Sequence, residues 1–221
     1  MSFSYGLPPK LEDCHEHGPG SGAELVIVEG DSAADAVLQV RDKRWQAILP
    51  MQGKPMNAIK ASLNDIKKNI QFAALIEALG VELEQADATN RIRYRKIILL
   101  FDPDPDGIHA RTLMLLFFYR YFPQLLDAGR VFDVHAPQWA VTGDGRAAPS
   151  FAGTPEHLAR VKQKLRDDGV TNLATRRFRG LGSIDVSILA SICIRPATRS
   201  LVPLSRDYAR HAMEFFTTLR R

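Results

Sequence analysis

Three aspartates occupy alternate positions in "FDPDPDG", residues 101–107, and proline fills both gaps. The residue before a proline is pushed toward extended conformations, so Asp102 and Asp104 should both be extended, and an extended chain sends alternate side chains to one face. Asp102, Asp104 and Asp106 would then converge, with Pro103 and Pro105 holding them in line against their mutual repulsion. Clustered carboxylates call for a cation, and hard divalent ions with oxygen ligands are the natural partners. The stretch fits the first six positions of an EF-hand loop, but Leu113 stands where that loop needs its last glutamate, and the preceding segment reads as a strand rather than a helix. Magnesium fits better, since it keeps several waters and accepts a few carboxylates together with substrate phosphate. The competing reading of these residues alone is an acidic turn that binds nothing.

A second acid bears on that choice. Glu29, in "IVEGDSA", ends the first apolar strand, and in a parallel sheet it can reach the same edge as the aspartates. A metal with an unassigned glutamate beside it is the equipment of phosphoryl chemistry, in which the carboxylate moves protons or completes the coordination. The bland alternative makes Glu29 and Asp31 ordinary turn and cap acids.

The elements that must position these acids alternate. "ELVIV" (24–28) reads as a strand, "EGDS" as a turn with Ser32 as a helix cap, and "AADAVLQVR" as the helix. "WQAILPM" is a second strand, "QGKPMN" a loop, and residues 58–80 one helix closed by Gly80. "YRKIILLF" is the next strand, and "GIHARTLMLLFFYRYF" a largely buried helix that ends at Pro123. "RVFDVHAPQWAV" supplies one or two more strands. This alternation predicts an α/β fold with a mainly parallel sheet flanked by helices and ligands at the carboxyl ends of its strands. The expected division is an irregular leader over 1–23, the α/β domain over 24–141, and a small, mostly helical tail over 142–221. The tail opens at the composition break "TGDGRAAPSFAGT". A helix over 155–168, the glycine turn "RFRGLGS" and a last helix over 206–220 follow.

The 221 residues are 45% hydrophobic, enough for one sizeable core. No run of eighteen apolar residues and no signal-like start occurs, which points to a cytoplasmic protein without a membrane partner. Cys14 and Cys193 lie far apart with no metal-type spacing. The net charge of +4 is compatible with a polyanion partner, and arginine is dense in "RIRYRK" and "RRFRG", although a solvated face would look the same.

Taken in order, "LPPKLEDC", "LVIVEGDSA", "QAILPMQGKPMN", "DPDPDGIHARTLMLLFFYRYFPQLLDAGRV", "RFRGLGS" and "EFFTTL" resemble the carboxyl-terminal half of the B subunit of bacterial type IIA DNA topoisomerases, DNA gyrase and topoisomerase IV. The resemblance implies a Toprim (Rossmann-like) domain in which Glu29, Asp102 and Asp104 hold catalytic Mg2+, with Mn2+ as a substitute and Asp106 at or near a second metal position. It also implies DNA contacts from Lys54 and Asn57 in "GKPMN", from His109 and Arg111 in "GIHAR", and from Arg177 and Arg179 in "RRFRGLG". The family's usual "DADVDG" is "DPDPDG" here, and "APQWAV" stands in place of "QPPLYKV", but the metal-ligand positions are intact. Relatives carry an ATP-binding half and act with an A subunit whose tyrosine attacks the phosphodiester. This chain shows no ATP site, so the expected role is a partial subunit of the ATP-hydrolysing type II enzymes, with double-stranded DNA and a gyrase A-like subunit as partners. Two alternatives stand beside it: a standalone metal-dependent Toprim nuclease, and a non-catalytic module that regulates a full-length topoisomerase.

Overall fold

The computed structural model describes residues 8–83 and 88–218, the last four as backbone only. Its elements in chain order are β1 (Glu24–Glu29), α1 (Gly30–Leu38), β2 (Gln46–Met51), α2 (Leu63–Lys68), α3 (Ile70–Leu79), α4 (Ala88–Arg91), β3 (Lys96–Leu100), α5 (Pro105–Tyr121), α6 (Pro123–Asp127), β4 (Val131–Asp133), β5 (Trp139–Thr142), β6 (Ser150–Ala152), α7 (Pro155–Asp167), β7 (Ala174–Arg177), α8 (Val186–Leu189), β8 (Val202–Pro203) and α9 (Arg206–Thr218). Strands β2, β1, β3 and β4 are parallel in that spatial order, and β8 closes the edge antiparallel to β4.

Between their end residues the central strands are apolar at every position, because both faces of the sheet are covered. Leu25, Ile27, Leu49, Ile97 and Leu99 face one core, built with α3 and α5. Val26, Val28, Ile48, Ile98 and Leu100 face the other, built with α1 and with Phe178, Leu181 and Leu189 from the carboxyl-terminal part. On the first side Phe72 of α3 stacks on Phe117 of α5, with ring centroids 4.3 Å apart and planes 7° from parallel. Among the described residues no helix is long and apolar enough to cross a membrane.

Several sequence expectations change in detail. The single helix expected over 58–80 is two: Ser62 and Asp65 form a capping box at the start of α2, the chain turns extended at Asn69, and the Asn69 side chain accepts from the N–H groups of Gln71 and Phe72 to start α3. Gly80, at φ 69°, closes α3 as expected. Helix α1 starts at Gly30, so Ser32 lies inside its first turn and is not its cap. The leader is irregular, with residues 1–7 outside the described residues, yet it is anchored to the core. Glu12 bridges to Ile48, Cys14 is buried in the first core, and Asp13 accepts from the Tyr94 hydroxyl at 2.8 Å and pairs with Arg93. The boundary expected after residue 141 falls inside β5, which pairs with both β6 and β7 in a second, antiparallel sheet that the sequence pattern did not predict. The last helix runs to Thr218, and residues 219–221 lie outside the described residues.

A buried ion pair ties the carboxyl-terminal part to the amino end of β1. Glu24 and Arg199 are 4% and 2% exposed and in direct contact, with Gln46 donating to Glu24 at 2.9 Å. Burial alone would raise the Glu24 carboxyl, but Arg199, Gln46 and Lys96 outweigh it and hold it below the usual range. Stability from this pair is therefore present above the ordinary carboxylate range and is lost as the pH falls through it. Arg199→Ala leaves the buried Glu24 with only Lys96, at 3.3 Å, as its counter-charge among the described residues and should cost about 3 kcal/mol in urea-unfolding stability.

Candidate metal centre at the strand ends

Strands β1 and β3 are hydrogen-bonded neighbours, with Val28 level with Leu100, so Glu29 and Phe101 leave the sheet side by side. Glu29 ends β1 and turns the chain into α1. Its Oε2 is buried with no hydrogen-bond partner, and burial, followed by the Asp102 charge, pushes its carboxyl above the usual range. Asp102 follows β3, and its Oδ1 accepts from the backbone N–H of Leu181 at 2.8 Å. Burial outweighs that bond, and Asp102 is raised as well. Two half-buried carboxylates with raised affinity for protons are a site that favours positive charge.

Glycines explain how the three motifs close on one another. A Cβ on Gly107 would lie 2.2 Å from the Asp102 carbonyl oxygen, one on Gly180 would lie 2.6 Å from Asp102 Oδ2, and one on Gly182 would lie 2.4 Å from Ser32 Oγ. The "RGLG" turn thus sits directly on the first aspartate and on the "EGDS" turn. The family resemblance implied a DNA contact at this turn, and the sequence gave no sign of its contact with Asp102.

The alternation along "DPDPD" holds for only part of its length. Asp104 is extended but caps α5, accepting from the Gly107 N–H at 2.8 Å, and Pro105 is the first helical residue. Proline at that position starts a helix without losing a hydrogen bond, so Asp106 belongs to the first turn and does not continue an extended row. Asp106 is exposed and bonded to Lys54 Nζ at 2.8 Å, which holds its carboxyl below the usual range.

Of the expected DNA-contact residues, Lys54 is therefore joined to the acidic loop. Asn57 Oδ1 accepts from the Ile59 N–H at 3.0 Å, as a turn residue does. His109 is half-buried on α5. Arg111 is committed to Asp133, a pairing that 22 residues of sequence separation concealed. Arg177 lies over the Trp139 ring, 5.8 Å from its centroid, and Arg177 and Arg179 share the wall of a 480 Å³ cleft with Pro103 and Asp104. Exposed arginines beside an acidic metal-type loop are placed to hold a phosphate.

Among the described residues, the closest set of metal-type donors lies elsewhere: Asp13, Cys14 and His17 have ligand atoms within 4.8 Å of one another. Glu29, Asp102 and Asp104 do not all come within that distance. The Asp13 set fits a cation poorly, because Arg93 and Tyr94 donate to Asp13, His17 Nε2 lies 3.0 Å from Asp13 Oδ1, and burial pushes the Cys14 thiol up to about 11. The orphaned oxygen of Glu29 and the all-oxygen donor set fit a hard divalent ion better.

Residues 24–136 match the Toprim domain family. Curated proteins named as the B subunit of DNA gyrase are similar along nearly the whole chain. The Thermus thermophilus protein is 38% identical over 217 residues, 96% of this chain and 33% of its own. The Archaeoglobus fulgidus protein is 35% identical over 213 residues, 96% and 32%. The Treponema pallidum protein is 35% identical over 218 residues, 98% and 33%. The chain thus spans about a third of the length of the curated relatives it matches.

Proposed function

Starting from a chain that belongs to the Toprim domain family, we propose that it is the metal-binding part of a type IIA topoisomerase B-like protein. In this reading it binds Mg2+ and DNA in the cytoplasm and supports cleavage and rejoining with a tyrosine supplied by a gyrase A-type partner. The observation that carries the reading is the pair of raised acids at adjacent strand ends, one with a buried oxygen that no protein group satisfies. Glu29, Asp102 and Asp104 are the oxygen donors, and Asp106, paired with Lys54, is near a second position. A bound divalent ion would supply charge neutralisation at the phosphate and its leaving oxygen. The chain's own part is positional: Leu181 and Gly180 hold Asp102, Gly107 holds Asp104, and Arg177 and Arg179 hold the phosphate from the cleft. Burial also suits Glu29 to exchange a proton with the leaving sugar oxygen.

The test is cleavage of supercoiled plasmid in Mg2+ by the chain with and without a gyrase A-type protein. The expected result is protein-linked cleavage only with both present, reduced more than about 100-fold by Asp102→Ala. Nicking by the chain alone would favour the nuclease reading, and cleavage indifferent to Asp102→Ala would overturn both. Binding of duplex DNA should weaken steeply with salt, and Arg177→Ala and Arg179→Ala should each lower the slope of log affinity against log salt by about 1. Affinity that is flat across salt would remove the phosphate contacts.

A further inference from the structure

Asp133 ends β4 beside Leu99 of β3, three residues short of Asp102. It is 3% exposed, and its Oδ2 is in contact with Arg111 of α5 and lies 3.4 Å from His135 Nε2. His135 Nδ1 lies 3.4 Å from Arg111 Nη1. Arg111, Asp133 and His135 line a cavity of about 540 Å³ that Asp102 and His157 also line. Arg111 is half-buried and His135 exposed, so the guanidinium is neither loose in solvent nor sealed in the core.

A buried carboxylate paired with one arginine is seldom a net source of stability, because desolvation offsets the attraction. Here burial outweighs Arg111 and His135 and leaves the Asp133 carboxyl above the usual range. What such a pair does supply is placement. A long arginine side chain gives up rotamer freedom when it binds, and one already fixed by a neighbour binds without that loss. Among the described residues, the Asp133 and His135 contacts both run through Nη1. That leaves Nη2 and Nε, the side of the fork that can grip a phosphate through two parallel N–H bonds. We propose that Asp133 is a positioning residue, which holds Arg111 so that its guanidinium receives a DNA phosphate at the cavity that Asp102 lines. The inference rests on the DNA reading above and deepens it, by adding a residue that touches neither metal nor DNA. The carboxylate also cancels the charge of Arg111, so Arg111 acts as an aimed donor and adds little to the general positive field.

The test uses the full chain and two readouts. By NMR, the Arg111 Nε–H signal, identified by its loss in Arg111→Gln, should be ordered in nitrogen relaxation of the wild type. It should become mobile in Asp133→Leu, because leucine fills a similar space and offers no acceptor. Duplex DNA affinity is then measured by fluorescence anisotropy without metal. Removing a negative charge from the cleft would by itself tighten the binding of a polyanion. Positioning predicts the opposite: Asp133→Leu should weaken binding at least about tenfold, the worth of one charge-assisted contact. Arg111→Gln should weaken it by a similar factor, and the double variant should lose no more than Arg111→Gln alone. Asp133→Asn, which keeps the shape and one acceptor oxygen, should fall between wild type and Asp133→Leu, and it decides the matter if leucine disturbs the fold. An Arg111 signal that stays ordered without Asp133, duplex affinity unchanged or raised in the Asp133 variants, or losses that add in the double variant would overturn the proposal. A wild type that binds no duplex would overturn it together with the DNA reading.

Discussion

Gly107→Ala should unfold the site and destabilise the chain by about 3 kcal/mol or more, measured by urea unfolding. Helix interiors ordinarily gain from alanine in place of glycine. Here the added carbon would meet the Asp102 carbonyl oxygen at 2.2 Å and its backbone carbon and nitrogen at 2.8 Å, and backbone cannot swing aside as a side-chain tip can. The displaced segment is the one that presents Asp102 to Leu181 and Gly180. The loss should therefore appear in metal affinity as well as in stability. Gly153→Ala, where the same carbon meets open space, is the control and should change stability by less than about 0.5 kcal/mol.

Glu29→Gln should separate stability from binding. The Glu29 carboxyl is raised in the folded chain, so between its unfolded and folded pKa the native state holds more protons than the unfolded one. Its contribution to stability is thus greatest at low pH and falls as the pH rises through the carboxylate range toward the raised value. Glutamine carries no charge to bury, and the metal-free variant should be more stable than wild type at neutral pH, with a flatter pH dependence. Mg2+ should then act differently on the two proteins. At a hundred times its dissociation constant the ion stabilises the wild type by about 2.7 kcal/mol, and it should leave Glu29→Gln nearly unmoved. A variant that is destabilised without metal, or is still protected by it, would contradict the assignment of Glu29 as a ligand.

The strand ends were legible because parallel central strands are apolar on both faces and stop abruptly where polar residues begin. That contrast alone located Glu29 and Asp102 at one edge. The limits came from residues with two roles. Pro105 can stiffen an extended stretch or start a helix, and only the packing of α5 on the sheet chose the helix, which moved Asp106 out of the row. Asn69 reads as one polar residue in a helical pattern, yet its side chain caps a new helix. Arg111, on α5, looked available because its partner, Asp133, arrives from β4. The contact of Gly180 with Asp102 is likewise a tertiary event between segments 78 positions apart, and no local pattern encodes it.

Where a divalent ion sits on the chain can be observed by paramagnetic broadening. Mn2+ added at substoichiometric amounts to isotopically labelled protein broadens the backbone amide signals nearest to it. A centre at the ends of β1 and β3 predicts that Gly30, Asp102, Gly107 and Leu181 fade first, and that the same signals survive in Asp102→Asn. Broadening centred on Asp13, Cys14 and His17, or an even loss over the acidic surface, would contradict it.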